Sequence, residues 1–156
     1  MWLLLCLILL PDQNDNEKRV QKHANELAKQ FYTAYENGQA DSMLPLASIP
    51  WYHDGKLVVQ QQDALKQELQ KWIEQRNTSY GVRQIEVKLV ATMAAMKSRM
   101  PAKDRSMLEQ VVHDDDYLVL VMLKPTDATI KVTENVVLLM RIRDGKPQAI
   151  GVKHTP

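Results

Sequence analysis

Cysteine is nearly missing. The 156 residues hold one, Cys6, inside the apolar start of the chain. The body therefore folds without disulfides, which neither requires nor forbids export. Phenylalanine is also reduced to one residue, Phe31, so Leu, Val, Ile and Met must fill the core. Eight methionines suit irregular gaps or an adaptable pocket wall. No excess of either charge is present: 20 Lys and Arg stand against 19 Asp and Glu, for a net charge of +1. That balance removes the electrostatic case for a nucleic-acid partner. Membrane-length apolar runs are absent too. Trp2 to Leu10 is nine residues long and closed by Pro11, whereas a spanning helix needs roughly 20.

What is present is an ordinary globular composition, 45% hydrophobic and 25% charged. The length suits one domain with one respectable core. Residues 12–156 are read as that domain, and residues 1–11 as a separate apolar segment. The segment has the length of the h-region of a secretory signal. However, no Lys or Arg precedes it, no small-residue cleavage site follows, and the large Leu5 precedes Cys6. Two readings stand. In one, it is an export signal or its remnant, and the protein is periplasmic, secreted or tethered to a membrane through residues 2–10. In the other, it packs on the domain or on a neighbouring chain, and the protein is cytoplasmic.

Helix-patterned sequence fills the first half and strand-patterned sequence the second. After a polar stretch at Asp12–Asn16, the stripe Val20, Ala24, Leu27, Phe31 and Tyr35 predicts a long helix ending at Asn37-Gly38. Asp41 caps a short second helix. Residues 49–60 read as a hairpin around Asp54-Gly55. Leu65, Leu69, Trp72 and Ile73 mark a third helix from about residue 63 to 76. Strands follow at 83–93, 117–124, 130–143 and 148–154, the last two joined at Asp144-Gly145. The charged segment 97–116 interrupts them, with a turn of helix at 104–110. This order predicts the α+β class, with helices packed in a strongly curved antiparallel sheet, a cone-shaped α+β barrel.

The layout resembles the nuclear-transport-factor-two-like superfamily, which includes ketosteroid isomerase and polyketide cyclases. The resemblance covers about residues 15–155. It rests on Phe31-Tyr32 and Ala34-Tyr35 near the end of the long helix, and on Asn37-Gly38 followed by Asp41. Trp51-Tyr52 on the first strand and the late Asp144-Gly145-Lys146-Pro147 turn complete it. The resemblance implies a pocket at the open end of the cone and a homodimer through the outer face of the sheet. It does not decide function, because such folds host enzymes, binding modules and noncatalytic proteins alike. The related isomerases use a Tyr on the first helix, a carboxylate base and a protonated acid in a strand. Tyr32 or Tyr35 stands for the first. No Asp or Glu is placed by pattern inside the cone as the base.

The densest polar-aromatic cluster is Trp51-Tyr52-His53-Asp54. Alternation puts Trp51 and His53 on one face and Tyr52 on the other. Trp51 is then a pocket wall or core, and His53 a titrating group or a rim residue. Asp54 is already explained by the turn. His154 continues the alternation Ile150, Val152, His154. The resemblance makes the first and last strands neighbours, so His53 and His154 approach each other. Two imidazoles shuttle a proton, or hold a metal if a third ligand exists. With no third ligand in sight, no metal and no cofactor is assigned. His113-Asp114-Asp115-Asp116 lacks calcium-loop spacing and reads as a solvated loop. Arg141 and Arg143 share a face with Val137 and Leu139, either to meet an anion or as a polar outer rim or dimer face. Met93, Met96, Met100 and Met107 flank the segment 97–116, as a greasy flap or a surface loop.

The leading expectation is a protein that binds a small apolar or amphipathic ligand, or a protein partner. Its pocket is lined by Tyr35, Trp51, Trp72, Leu89, Tyr117 and Leu138. The rivals are an isomerase, dehydratase or cyclase using Tyr35 with His53 or His154, and a structural dimerisation module.

Overall fold

The structure is a computed structural model that describes the backbone of residues 2–55 and 57–155, and the side chains of residues 15–55 and 59–155. The side chains of the apolar segment 1–11, and the export or tether expectation attached to them, lie outside the described residues. Among those described, no helix is long and apolar enough to cross a membrane.

Helix α1 spans Trp2–Glu36 and carries the expected stripe, with Val20, Ala24, Leu27, Phe31 and Tyr35 all buried. It begins earlier than the polar stretch at 12–16 suggested; Asp and Asn are poor helix formers but not breakers. Its end is a Schellman cap. The Gly38 N–H donates to the Tyr35 carbonyl and the Gln39 N–H to the Ala34 carbonyl, at 3.0 and 2.9 Å. Gly38 supplies the left-handed residue, φ 72°, that this cap requires. The short α2 (Ala40–Met43) follows. Helix α3 (Gln62–Glu74) buries Leu65, Leu69, Trp72 and Ile73.

The sheet has six strands: β1 (Ala47–His53), β2 (Leu57–Val59), β3 (Arg83–Thr92), β4 (Tyr117–Pro125), β5 (Glu134–Arg143) and β6 (Lys146–His154). Their order is β2-β1-β6-β5-β4-β3. The predicted α+β cone is present, with one departure from an antiparallel sheet. β1 and β6 run parallel, which is open to strands separated by most of the chain. Their close approach rests on Gly151: a Cβ there would lie 2.5 Å from the Tyr52 carbonyl oxygen.

Two β-bulges reset the alternation. On β3 the register slips between Val87 and Leu89. Ile85, Val87 and Val90 face the inner core, while Leu89 turns out and is 48% exposed. On β6 the slip falls opposite Leu139 and Met140. Ala149 and Val152 face inward, and Ile150 belongs to the outer cluster. Ile150 and His154 therefore do not share a face, contrary to simple alternation.

The segment after β3 is not a loose loop. It forms α4 (Met93–Lys97) and α5 (Ala102–Leu108), which cover part of the outer sheet face. A second core forms there from Tyr52, Met93, Leu108, Val111, Val112, Leu118, Leu139 and Ile150, with Met96, Met100 and Met107 packed against it. Arg141 is neither an exposed rim residue nor open to an anion. It is buried beneath this cover and paired with Asp116, its Nε 2.8 Å from Oδ1, and it also donates to the Val111 carbonyl at 3.0 Å. Asp116 is thus the anchor of the acidic run, while Asp114 and Asp115 stay exposed.

Candidate functional site at the mouth of the cone

Six elements deliver polar side chains to the open end of the cone. The end of α1 brings Tyr35 and Glu36. Helix α3 brings Glu68 and Trp72, with Arg76 just beyond it. β1 and its turn bring His53 and Asp54. Arg83 opens β3, Glu134 opens β5, and His154 closes β6. Most of these residues line a cavity of about 340 Å³, joined by Gln75, Asn77 and Tyr80.

Each position has a local cause. Alternation along β1 sends Trp51 into the inner core and leaves His53 half-buried at the rim. Asp54 then adopts φ 48° and Gly55 φ 73°. Aspartate tolerates this left-handed conformation, and the turn folds its carboxylate back over β6. There Oδ1 accepts the His154 backbone N–H at 2.7 Å, and Oδ2 lies 2.8 Å from His154 Nδ1. The turn residue is therefore also a site residue.

The charges form one chain of contacts. Glu68 Oε1 lies 2.7 Å from His53 Nδ1, and His53 Nε2 lies 3.7 Å from Asp54 Oδ2. Beyond Asp54, the Nε2 of His154 lies 3.4 Å from Glu134 Oε1. Glu134 and Glu36 both pair with Arg83, each at 2.5 Å, and the Arg83 side chain is only 3% exposed. The hydrogen bond to Asp54 raises the His154 pKa above that of an ordinary imidazole, and the nearby Glu134 adds to this. Burial pushes the Asp54 carboxyl up, but its bonds to His154 outweigh that and leave it below the usual range.

Trp72 is the floor under both imidazoles. Tyr35 stacks on it at 4.2 Å, and the rings of His53 and His154 meet it nearly edge-on at 5.5 and 5.9 Å. Burial and the neighbouring Glu134 push the Tyr35 phenol up to about 12, so it stays a proton donor at neutral pH.

Of the residues singled out from sequence, Tyr35, His53, Trp72 and His154 meet at this mouth. The other four do not. Trp51 and Leu138 are fully buried core. Leu89 is turned outward by the β3 bulge. Tyr117 lines a different cavity, beside Val20 and Thr92. Glu36, Glu68, Arg76, Arg83 and Glu134 were not singled out. Parity held a signal for two of them: Glu134 alternates with the inward Val136, Leu138 and Met140, and Arg83 with Ile85 and Val87.

No protein-family model matches the chain, and no curated protein matches it by sequence. Solved structures do match in three dimensions. A variant of a chain named Rd1NTF2_05 is 10% identical with a TM-score of 0.53, over 85% of this chain and 96% of that one. A protein of unknown function with a cystatin-like fold from Nostoc punctiforme PCC 73102 is 12% identical with a TM-score of 0.51, over 86% and 88%. At such identities the likeness establishes architecture alone. The chain has the nuclear-transport-factor-two-like, cystatin-like cone fold.

Proposed function

We propose that this is a binding protein that holds a small amphipathic acid at the mouth of the cone rather than inside it. The observation that carries the reading is an uncommitted guanidinium beside an aromatic floor. Arg76 donates to the Ile73 carbonyl at 2.9 Å and has no carboxylate partner among the described residues. It shares the cavity with Tyr35 and Trp72. The carboxylates nearby are already engaged, Glu36 and Glu134 by Arg83, and Asp54 by His154. Arginine's planar fork suits a carboxylate or phosphate, and the aromatic edges suit a compact apolar body. The volume lies at the small end of ligand pockets. The interior offers no such space to a larger apolar ligand, because Phe31, Tyr32 and Trp51 fill it.

The test is a thermal-shift and NMR screen of small carboxylates and phosphate esters, each beside its neutral amide or alcohol, on wild type and Arg76→Ala. Acids should bind, neutral isosteres should bind more weakly, and the variant should lose roughly 10-fold in affinity, the size of one charge-assisted contact. Binding that ignores either change overturns the reading.

One observation favours a second reading, an isomerase, dehydratase or cyclase. Asp54 orients the His154 ring over a cavity that also holds the protonated Tyr35 hydroxyl, an acid-base pairing of the kind such reactions use. Turnover of any bound acid that Tyr35→Phe removes, with binding retained, would favour it.

A further inference from the structure

We infer that His53, Asp54 and His154 form a binding site for a divalent first-row transition metal of the zinc type. One donor atom from each lies within 4.8 Å of the others. Two imidazoles and a carboxylate are a three-ligand set that leaves a coordination position open. Nitrogen donors make it a poor site for calcium or magnesium, which take oxygen.

The groups behind the ligands make the stronger case. A ligating histidine usually gives its far ring nitrogen to a carboxylate, which fixes the tautomer and aims the near nitrogen at the metal. His53 has that arrangement here, and His154 has a carboxylate near its far nitrogen. Glu68, 2.7 Å from His53 Nδ1, holds the proton on that nitrogen and leaves Nε2 facing Asp54. Glu134 lies 3.4 Å from His154 Nε2, close enough to attract that nitrogen's proton once Nδ1, now hydrogen-bonded to Asp54 at 2.8 Å, turns to a metal. The ring centroids are 6.2 Å apart, against roughly 5 Å for two imidazoles on one tetrahedral ion at bond lengths of about 2 Å. The two rings must close by about 1 Å to complete the geometry.

Charge and rigidity agree. Around the site, the four carboxylates of Glu36, Asp54, Glu68 and Glu134 outnumber the two guanidiniums of Arg76 and Arg83. That excess of negative charge favours a cation. The ligands come from paired strands, β1 and β6, and both rings rest on Trp72, so little ordering remains to be done on binding. The Asp54–His154 hydrogen bond lies where the ion would bind, so binding must release the Nδ1 proton. Arg76 lines the same cavity, but the site needs no organic ligand to form.

The test uses the full chain, stripped with chelator and dialysed, without any organic acid. Zinc is titrated by calorimetry and cobalt(II) by its visible absorption. We expect one ion per chain at micromolar or tighter affinity, with a cobalt spectrum of four or five ligands. His53→Gln and His154→Gln should each weaken binding roughly 100-fold, and Glu68→Gln roughly 10–100-fold, as loss of an orienting carboxylate does. Cys6→Ser should bind as wild type does. Histidine ¹⁵N spectra provide a measure that needs no variant to fold: zinc should shift Nε2 of His53 and Nδ1 of His154. Binding no tighter than millimolar, binding indifferent to both histidine variants, or loss in Cys6→Ser would overturn the site. The Arg76 reading would survive such a failure, because its screen contains no metal.

Discussion

Replacing Asp116 with asparagine removes one charge from a buried ion pair and leaves the shape nearly unchanged. Arg141 places two donors on the Asp116 carboxylate, and the two side chains are 11% and 3% exposed. Asp116 also accepts the His113 backbone N–H at 2.7 Å, so it ties the 109–116 segment to the sheet. Removing one partner of a buried pair costs about 3–5 kcal/mol, because the other charge is left uncompensated. Asparagine keeps one acceptor oxygen and Arg141 keeps the Val111 carbonyl, so the lower end, about 3 kcal/mol, is expected. In a domain of this size each kcal/mol moves Tm by about 2–4 °C, so Tm should fall by about 6–12 °C. Urea unfolding followed by circular dichroism measures the energy. The double variant Asp116→Leu with Arg141→Met buries no charge and should recover most of the loss. A cost below about 0.5 kcal/mol for Asp116→Asn, or additive losses in the double variant, would show that α4 and α5 are not anchored this way.

Two further outcomes follow from other contacts. Gly151→Ala places a Cβ 2.5 Å from the Tyr52 carbonyl oxygen and 2.8 Å from the Tyr52 Cβ. β1 must then separate from β6, at a cost of about 1–3 kcal/mol or more; hydrogen exchange at the Tyr52 and Asp54 amides should rise, and unchanged protection would count against the close approach. Burial raises the phenols of Tyr35 and Tyr52 from 10.0 to about 12, and holds that of Tyr32 well above its ordinary value. The unfolded chain loses these protons first, so stability should fall as pH rises from about 10 toward 12. Absorbance at 295 nm should show these phenols ionising only in that range or with unfolding, and their full ionisation near pH 10 in folded protein would refute the burial argument.

The helices were legible because their apolar spacing is unbroken: Val20 to Tyr35 and Leu65 to Ile73 each bury one continuous stripe. The pairing of the first strand with the last, and so the meeting of His53 with His154, was accessible through the family resemblance. The β-bulges were not. An extra residue leaves no mark in composition, yet it reverses every later side chain, and this displaced Leu89 and Ile150. The outer core was hidden differently. Met93, Met96, Met100, Leu108 and Val111 are spread over two short helices and a turn, so no single period links them. Asp116 and Arg141 are 25 residues apart, a pairing that only the folded sheet creates. At the mouth, Asp54 was concealed by its own explanation, because Asp-Gly turns need no second role.

The filling of the cone bears most directly on function, and Trp51 tests it. Its ring is fully buried, 6.0 Å from Phe31, and its indole N–H has no partner among the described residues. Truncating a buried aromatic to alanine costs about 3–5 kcal/mol. Here the deletion also removes an unsatisfied donor, which offsets about 1–3 kcal/mol. A net loss of about 2–3 kcal/mol is therefore expected for Trp51→Ala. The cavity left behind is apolar and enclosed, the kind that admits benzene or indole. Thermal melts with these probes should raise the Tm of the variant and leave wild type unmoved, since Trp51 fills that space in wild type. If the probes stabilise wild type equally, the interior is already a pocket, and the ligand belongs inside the cone rather than at the charged mouth above Trp72.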